Sequence, residues 1–193
     1  MNRADAFALL NEYVTDQSLV RHCLSVEAAM RAYARKLGED KEKWGIVGLL
    51  HDFDYERWPN APDHPLKGSV ILRERGYPEE IITAILSHAD YLSDRYPRVS
   101  RLEKGLYAND EITGLITATA LLRPTGITDL TASSVKKKMK AKGFAHGVNR
   151  EDVIRGAADL GVDLDEHIQF VIDAMKGIAA ELRLEKGTTG GEN

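Results

Sequence analysis

Apolar side chains recur at three- and four-residue intervals along almost the whole chain. Nowhere does a run of four to eight β-branched and aromatic residues alternate cleanly between turn signals. This periodicity predicts an all-α fold, and the punctuation agrees. Phe7, Leu10 and Val14 mark a first helix from about Ala4 to Val14, and Asp16 is placed to cap a second that ends near Gly38. In the second helix Leu19, Val26, Met30 and Tyr33 share a stripe with His22. A third, from about Lys41 to Leu50, is apolar nearly all round at its C-terminal end, the mark of a central, buried helix. Pro59, Asn60 and Pro62 break the stretch from Phe53 to Asp63. Pro65 then opens a helix to about Arg75 with His64 as its N-cap, and Gly76 ends it. Pro78 opens the next, which runs through His88. A polar loop leads to Ser100, and a helix from there to Arg123 sets Leu102, Leu106, Asp110 and Thr113 on one stripe. Beyond Pro124 and Gly126 the pattern predicts helices over about 132–142, 150–160 and 164–184, and a disordered tail over 186–193.

At 193 residues the chain suits one domain and buries enough surface to need no staples. No internal repeat or linker divides it, which predicts a single domain over 1–185. Lysine and arginine number 26 against 30 acidic residues, a net charge of −4, which excludes a dedicated nucleic-acid binder resting on a basic surface. The single cysteine, Cys23, excludes an intramolecular disulfide and a cysteine-built zinc site. No apolar run approaches the ~18 residues of a membrane span. Asp5 and Glu12 inside the first apolar stretch mark an amphipathic helix instead of a signal peptide. A cytoplasmic protein, compatible with homo-oligomers, is expected.

Four of the six histidines fall in order with two aspartates: His22, the adjacent pair His51 and Asp52, His64, His88 and Asp110. Successive separations of 29, 12, 24 and 22 residues each amount to about one helix plus a connection, so each ligand would come from a different element. Adjacent helical residues point about 100° apart, but at a helix end His51 and Asp52 can both turn to one ion. Imidazole and carboxylate together suit iron, manganese, zinc or nickel. His22, His88 and Asp110 lie on inward stripes, where an unpaired polar group is costly and a shared metal would satisfy all three. Taken singly each has a plainer explanation: a core histidine is more often hydrogen-bonded than ligating, and His64 suits a helix cap.

The ordered set resembles the HD-domain superfamily of metal-dependent phosphohydrolases, named for a pair that stands here in GLLHDFD. The likeness covers about residues 18–125, the usual helical core, with 126–185 as a helical extension similar to small bacterial HDIG-type hydrolases. HPLKGSVIL resembles the His-x-x-x-Gly element of two-metal members, and YANDEITGLI the helix bearing the last aspartate. The resemblance implies that His22, His51, Asp52 and Asp110 hold a first divalent ion and that Asp52 bridges to a second, completed by His64 and His88. It implies hydrolysis of a nucleotide or other small phosphorylated metabolite by metal-activated water, with Asp52 orienting the nucleophile. Two other functions use the same ligand types: a di-iron oxygenase like the inositol-oxygenase branch, and a metal-containing ligand-binding regulatory module.

The sequence departs from HD-x-G-K, with Asp54 and Tyr55 in place of the glycine and lysine. Lys67 and Arg57 are the nearest candidates to supply positive charge to the substrate. Asp54 and Glu56 are either solvated loop charges or acceptors that orient ligating histidines. No GYP motif follows His88, which separates the chain from the cyclic-di-GMP phosphodiesterases. The lysine run over 136–142 is either a solvated face or an attractive rim to the site, while His146 and His167 are ordinary surface or core residues.

Overall fold

The computed structural model describes residues 2–141 and 143–185. Lys142 and the expected tail 186–193 lie outside the described residues. Among these there are nine α-helices, and the one isolated β-bridge joins Gly126 to Glu185. The helices are α1 (Arg3–Tyr13), α2 (Gln17–Leu37), α3 (Lys41–Leu50), α4 (Asp63–Glu74), α5 (Glu79–Ser87), α6 (Arg101–Leu121), α7 (Ala132–Met139), α8 (Arg150–Leu160) and α9 (Leu164–Lys176), with a 3₁₀ turn at Asp90–Leu92. No helix among the described residues is long and apolar enough to cross a membrane.

Local chemistry sets most of these boundaries. Asp16 accepts from the Ser18 amide, Asp40 from Glu42 and Lys43, and Ser100 forms a reciprocal box with Glu103. Gly38 closes α2 at φ 71°, a left-handed conformation that a side chain would strain. One expectation is corrected: the last helix stops at Lys176, where Gly177 follows, and the chain continues in turns that end on Arg183 at φ 56°. His64 has the extended backbone (φ −81°, ψ 133°) that suits the residue before the Pro65 that opens the regular helix, but its side chain makes no capping bond and its ring bonds elsewhere.

The two long helices, α2 and α6, form the centre. α3 folds back on α2 through the Gly38–Asp40 connection, and Gly48 lets the two backbones meet: a Cβ there would stand 2.9 Å from the Val26 carbonyl. Between them lie the fully buried Val26, Met30, Val47 and Leu50. Glu27, 3% exposed, is paired from both sides, accepting from Arg3 at 2.7 and 2.9 Å and from Arg31 at 2.8 Å, so a buried carboxylate ties α1 to α2.

The C-terminal helices close the other side. α8 crosses α6 where Gly156 faces Ala108, and α9 packs on α2 and α6. His167 of α9 is a buried core histidine, as the sequence suggested. Its Nδ1 accepts from the Tyr33 hydroxyl at 2.6 Å while Nε2–H donates to the Ala108 carbonyl at 2.8 Å. One imidazole thereby joins α9 to both central helices.

The α6–α8 crossing has no room for a side chain, since a Cβ on Gly156 would lie 2.7 Å from the Ala108 Cα. Gly156→Val is expected to cost about 1–3 kcal/mol and to lower Tm by roughly 2–4 °C per kcal/mol. Gly147→Ala, where nothing lies within 4 Å, should stay within about 0.5 kcal/mol of the parent. Urea and thermal unfolding of the pair check this, and equal stability of the two variants would refute the close crossing.

Candidate metal centre

Five elements deliver the six ordered residues to one place. His22 comes from α2 and Asp110 from α6; His51 and Asp52 follow directly on α3, His88 follows α5, and His64 projects from the extended residue in α4. Their ligating atoms form two clusters, His22–His51–Asp52 and Asp52–His64–His88. In the first, His22 Nε2 stands 3.1 Å from His51 Nε2 and 3.1 Å from Asp110 Oδ1, with Asp52 Oδ2 at 3.4 Å from His51. In the second, His64 Nε2 and His88 Nε2 are 3.2 Å apart and lie 3.3 and 3.6 Å from Asp52 Oδ1. Asp52 therefore turns one oxygen to each cluster.

The outer edges of the rings explain why the inner edges need a cation. His51 Nδ1–H donates to the Gly48 carbonyl at 2.8 Å, and His88 Nδ1–H to the Ile85 carbonyl, which also accepts the His88 amide at 3.4 Å; both carbonyls lie in the last turn of a helix. His64 Nδ1–H donates to Asp54 Oδ1 at 2.7 Å. A carbonyl or carboxylate can only accept, so Nδ1 holds a proton in each ring and Nε2 is the nitrogen left to bind a further proton or a metal ion. The Nε2 atoms of His64 and His88 face each other at 3.2 Å, a spacing that needs a proton or a metal cation between them. The donor set, four imidazoles and two carboxylates with no thiolate, suits a divalent transition metal. Cys23 is fully buried and belongs to neither cluster.

Protonation tells the same story. Burial pushes the His51 ring down, but the Asp52 and Asp110 carboxylates overcome it and hold the group at about 9. His64 is likewise held up at about 9 against burial by its bonds to Asp52 and Asp54. Burial opposes charge on Asp52 and Asp110, yet His51 leads a set of imidazoles that keeps both well below the usual carboxylate range. His88, with burial dominant, is pushed down. The field is negative enough to retain protons, and a metal cation would meet the same field.

The centre opens into a cavity of about 390 Å³, whose walls include Tyr55, Glu111, Gly147 and Val148 besides the histidines and aspartates. Tyr55 stands edge-on to His64, ring centroids 5.1 Å apart. Burial and the neighbouring Asp110 raise the Glu111 carboxyl to about 7. Asp54 is no solvated loop charge: it is fully buried, and its second oxygen accepts from the Gly68 amide at 2.8 Å. Glu56 instead binds the Thr15 and Asp16 amides at the start of α2. Lys67 is exposed on α4, while Arg57 stacks 3.9 Å over Tyr13 and donates to the Glu12 carbonyl; neither lines the cavity. In the lysine run, Lys136 pairs with Asp165 of α9, and Lys138 lies 5.3 Å from the Phe144 ring. Glu111 escaped the sequence because it lies off the inward stripe of α6. Gly147 and Val148 carried no signal at all, since only the fold returns them to Gly114.

The family described as HD domain matches residues 19–118. Ribonuclease Y from Nitratidesulfovibrio vulgaris, in strain DP4 and in strain Hildenborough, is 29% identical over 185 residues, covering 90% of this chain. The chain spans about a third of the length of these relatives (32%). No solved structure gives a significant match.

The two raised imidazoles give the metal-free protein a defined pH response. A histidine raised above its unfolded value of about 6.5 adds stability that is fully present below that value and is lost as pH rises through the folded value, here about 9. Chelator-treated protein should therefore lose thermal stability between about pH 6.5 and 9. With excess divalent metal the trend should reverse, because only deprotonated imidazoles ligate. Differential scanning fluorimetry across that range checks both arms; a flat metal-free profile would mean that His51 and His64 do not share charge with the carboxylates.

Proposed function

Because the chain belongs to the HD-domain family, a superfamily of metal-dependent hydrolases, we propose that it hydrolyses a nucleotide or other small phosphorylated metabolite at a dinuclear centre held by His22, His51, Asp52, His64, His88 and Asp110. One observation carries this reading: the two Asp52 oxygens face separate histidine pairs whose Nε2 atoms all point inward. A pair of divalent ions held there supplies Lewis acidity and a bound water that ionises near neutral pH.

The protein's own part is positioning. Asp52, with one oxygen toward each cluster, would hold two ions and orient the attacking water. The backbone carbonyls of Gly48 and Ile85 and the Asp54 carboxylate orient the rings of His51, His88 and His64 so that their Nε2 atoms face the clusters. Phosphoryl transfer asks for little beyond placement and charge neutralisation. Ribonuclease Y is by name an enzyme of RNA, and its likeness to this chain favours a phosphodiester as the bond broken. The net charge of −4 favours a small substrate over a polynucleotide.

Elemental analysis by plasma mass spectrometry, with turnover measured in parallel, tests the centre. About two manganese, nickel, zinc or iron ions per chain are expected. About one should remain in His64→Ala, and little in Asp52→Ala, whose activity should fall by at least about a thousandfold. Nucleoside monophosphates, bis(4-nitrophenyl) phosphate and a short RNA then separate monoester, diester and polynucleotide substrates. No bound metal after reconstitution would overturn the proposal, and iron with oxygen consumption would replace it with the oxygenase function.

A further inference from the structure

His22 borders three cavities: the metal cavity, a neighbouring space bounded by Tyr55 and Pro59, and a groove of about 290 Å³ between α2, α6 and the segment after α9, with which the metal cavity also shares Gly114. The groove is mostly carbon-walled, with Ala118 one turn beyond Gly114 on α6 and Leu182 opposite. Its third wall is fixed, because the Ile127 amide donates to the Leu184 carbonyl at 3.0 Å and the Gly126–Glu185 bridge follows.

Two arginines line this apolar space: Arg21, half-buried, precedes His22 on α2, and Arg183, exposed, has left-handed backbone at φ 56°. Neither forms an ion pair with a carboxylate among the described residues. Arg21 has a long hydrogen bond of 3.3 Å, to Ser18 Oγ. The metal cavity, by contrast, has no lysine or arginine among its described walls. Arginines that stand beside carbon, with no carboxylate partner among the described residues, are complementary to an anion attached to an apolar body.

Resting on the phosphohydrolase reading above, we infer that this groove is the subsite for the non-reacting part of the substrate: an apolar body that leads away from the metal-bound phosphate past His22 and ends in a second anionic group held by Arg21 and Arg183. The substrate class is thereby narrowed to small phosphoesters carrying a second, remote negative charge.

Binding, not turnover, provides the test. The manganese-loaded full chain is titrated calorimetrically with non-hydrolysable alkylphosphonates and with ω-phosphonocarboxylates matched in length from three to eight carbons. The best-fitting carboxylate is expected to bind about tenfold tighter than its alkyl counterpart, the worth of a charge-assisted hydrogen bond. That ratio should fall toward one in Arg21→Gln and in Arg183→Gln. It should persist in Lys43→Gln, which removes a remote charge paired with Glu80. Equal binding of the two series at every length, or a ratio that survives in the Arg21→Gln/Arg183→Gln double variant, would overturn the subsite while leaving phosphohydrolysis standing. Bound manganese with no affinity for any phosphonate would instead overturn the phosphohydrolase reading, and the subsite with it.

Discussion

One carboxylate with two faces organises this molecule. Asp52 directs one oxygen to His22 and His51 and the other to His64 and His88, which obliges residues from α2 to α6 to meet within a few ångströms. Gathering four imidazoles and a second carboxylate, Asp110, around it is electrostatically costly unless cations are present, and the surrounding fold is arranged to keep the rings from turning away. Each of His51 and His88 is anchored by a carbonyl at the end of the helix that delivers it, and His64 by a buried carboxylate. Carbonyls in the last turns of two helices thus form part of the outer rim of the centre.

The scaffold keeps these helix ends in register by close backbone contact. Gly48 brings α3 against α2, and Gly68 lets α4 approach the Asp54 carboxylate, where a Cβ would stand 2.7 Å from its carbon. These glycines act through absent side chains, and each lies next to an element that delivers a ligand. The exposed polar residues contribute little to this placement, in keeping with the small worth of surface ion pairs.

Much of the arrangement was legible in the sequence. Helix boundaries at Asp16, Gly38 and Ser100 follow from capping chemistry that depends on a few neighbouring residues. His22, His88 and Asp110 were legible because polar side chains on inward stripes need partners, while His51, Asp52 and His64 joined them through the ordered spacing and the resemblance to the HD family. What escaped was whatever depends on distant segments meeting. For Asp54 the sequence leaves a loop charge and an acceptor that orients a histidine both open, and only the folding of Gly68 and His64 over it selects the second. The break at Gly177 looks like a tolerated glycine in a helical pattern, because nothing local shows that Leu184 must turn back to meet Ile127. Arg21 and Arg183 lie far apart in sequence, and only α6 between them reveals a shared groove.

The buried bridge from Tyr33 through His167 to the Ala108 carbonyl bears on how such a chain can be rearranged over time. Ala108 stands two residues before Asp110, so the final helix supplies a donor to the backbone that carries a residue of the centre. Any rearrangement that replaced the final helix would have to supply a new partner for the buried Tyr33 hydroxyl beside the backbone that carries Asp110.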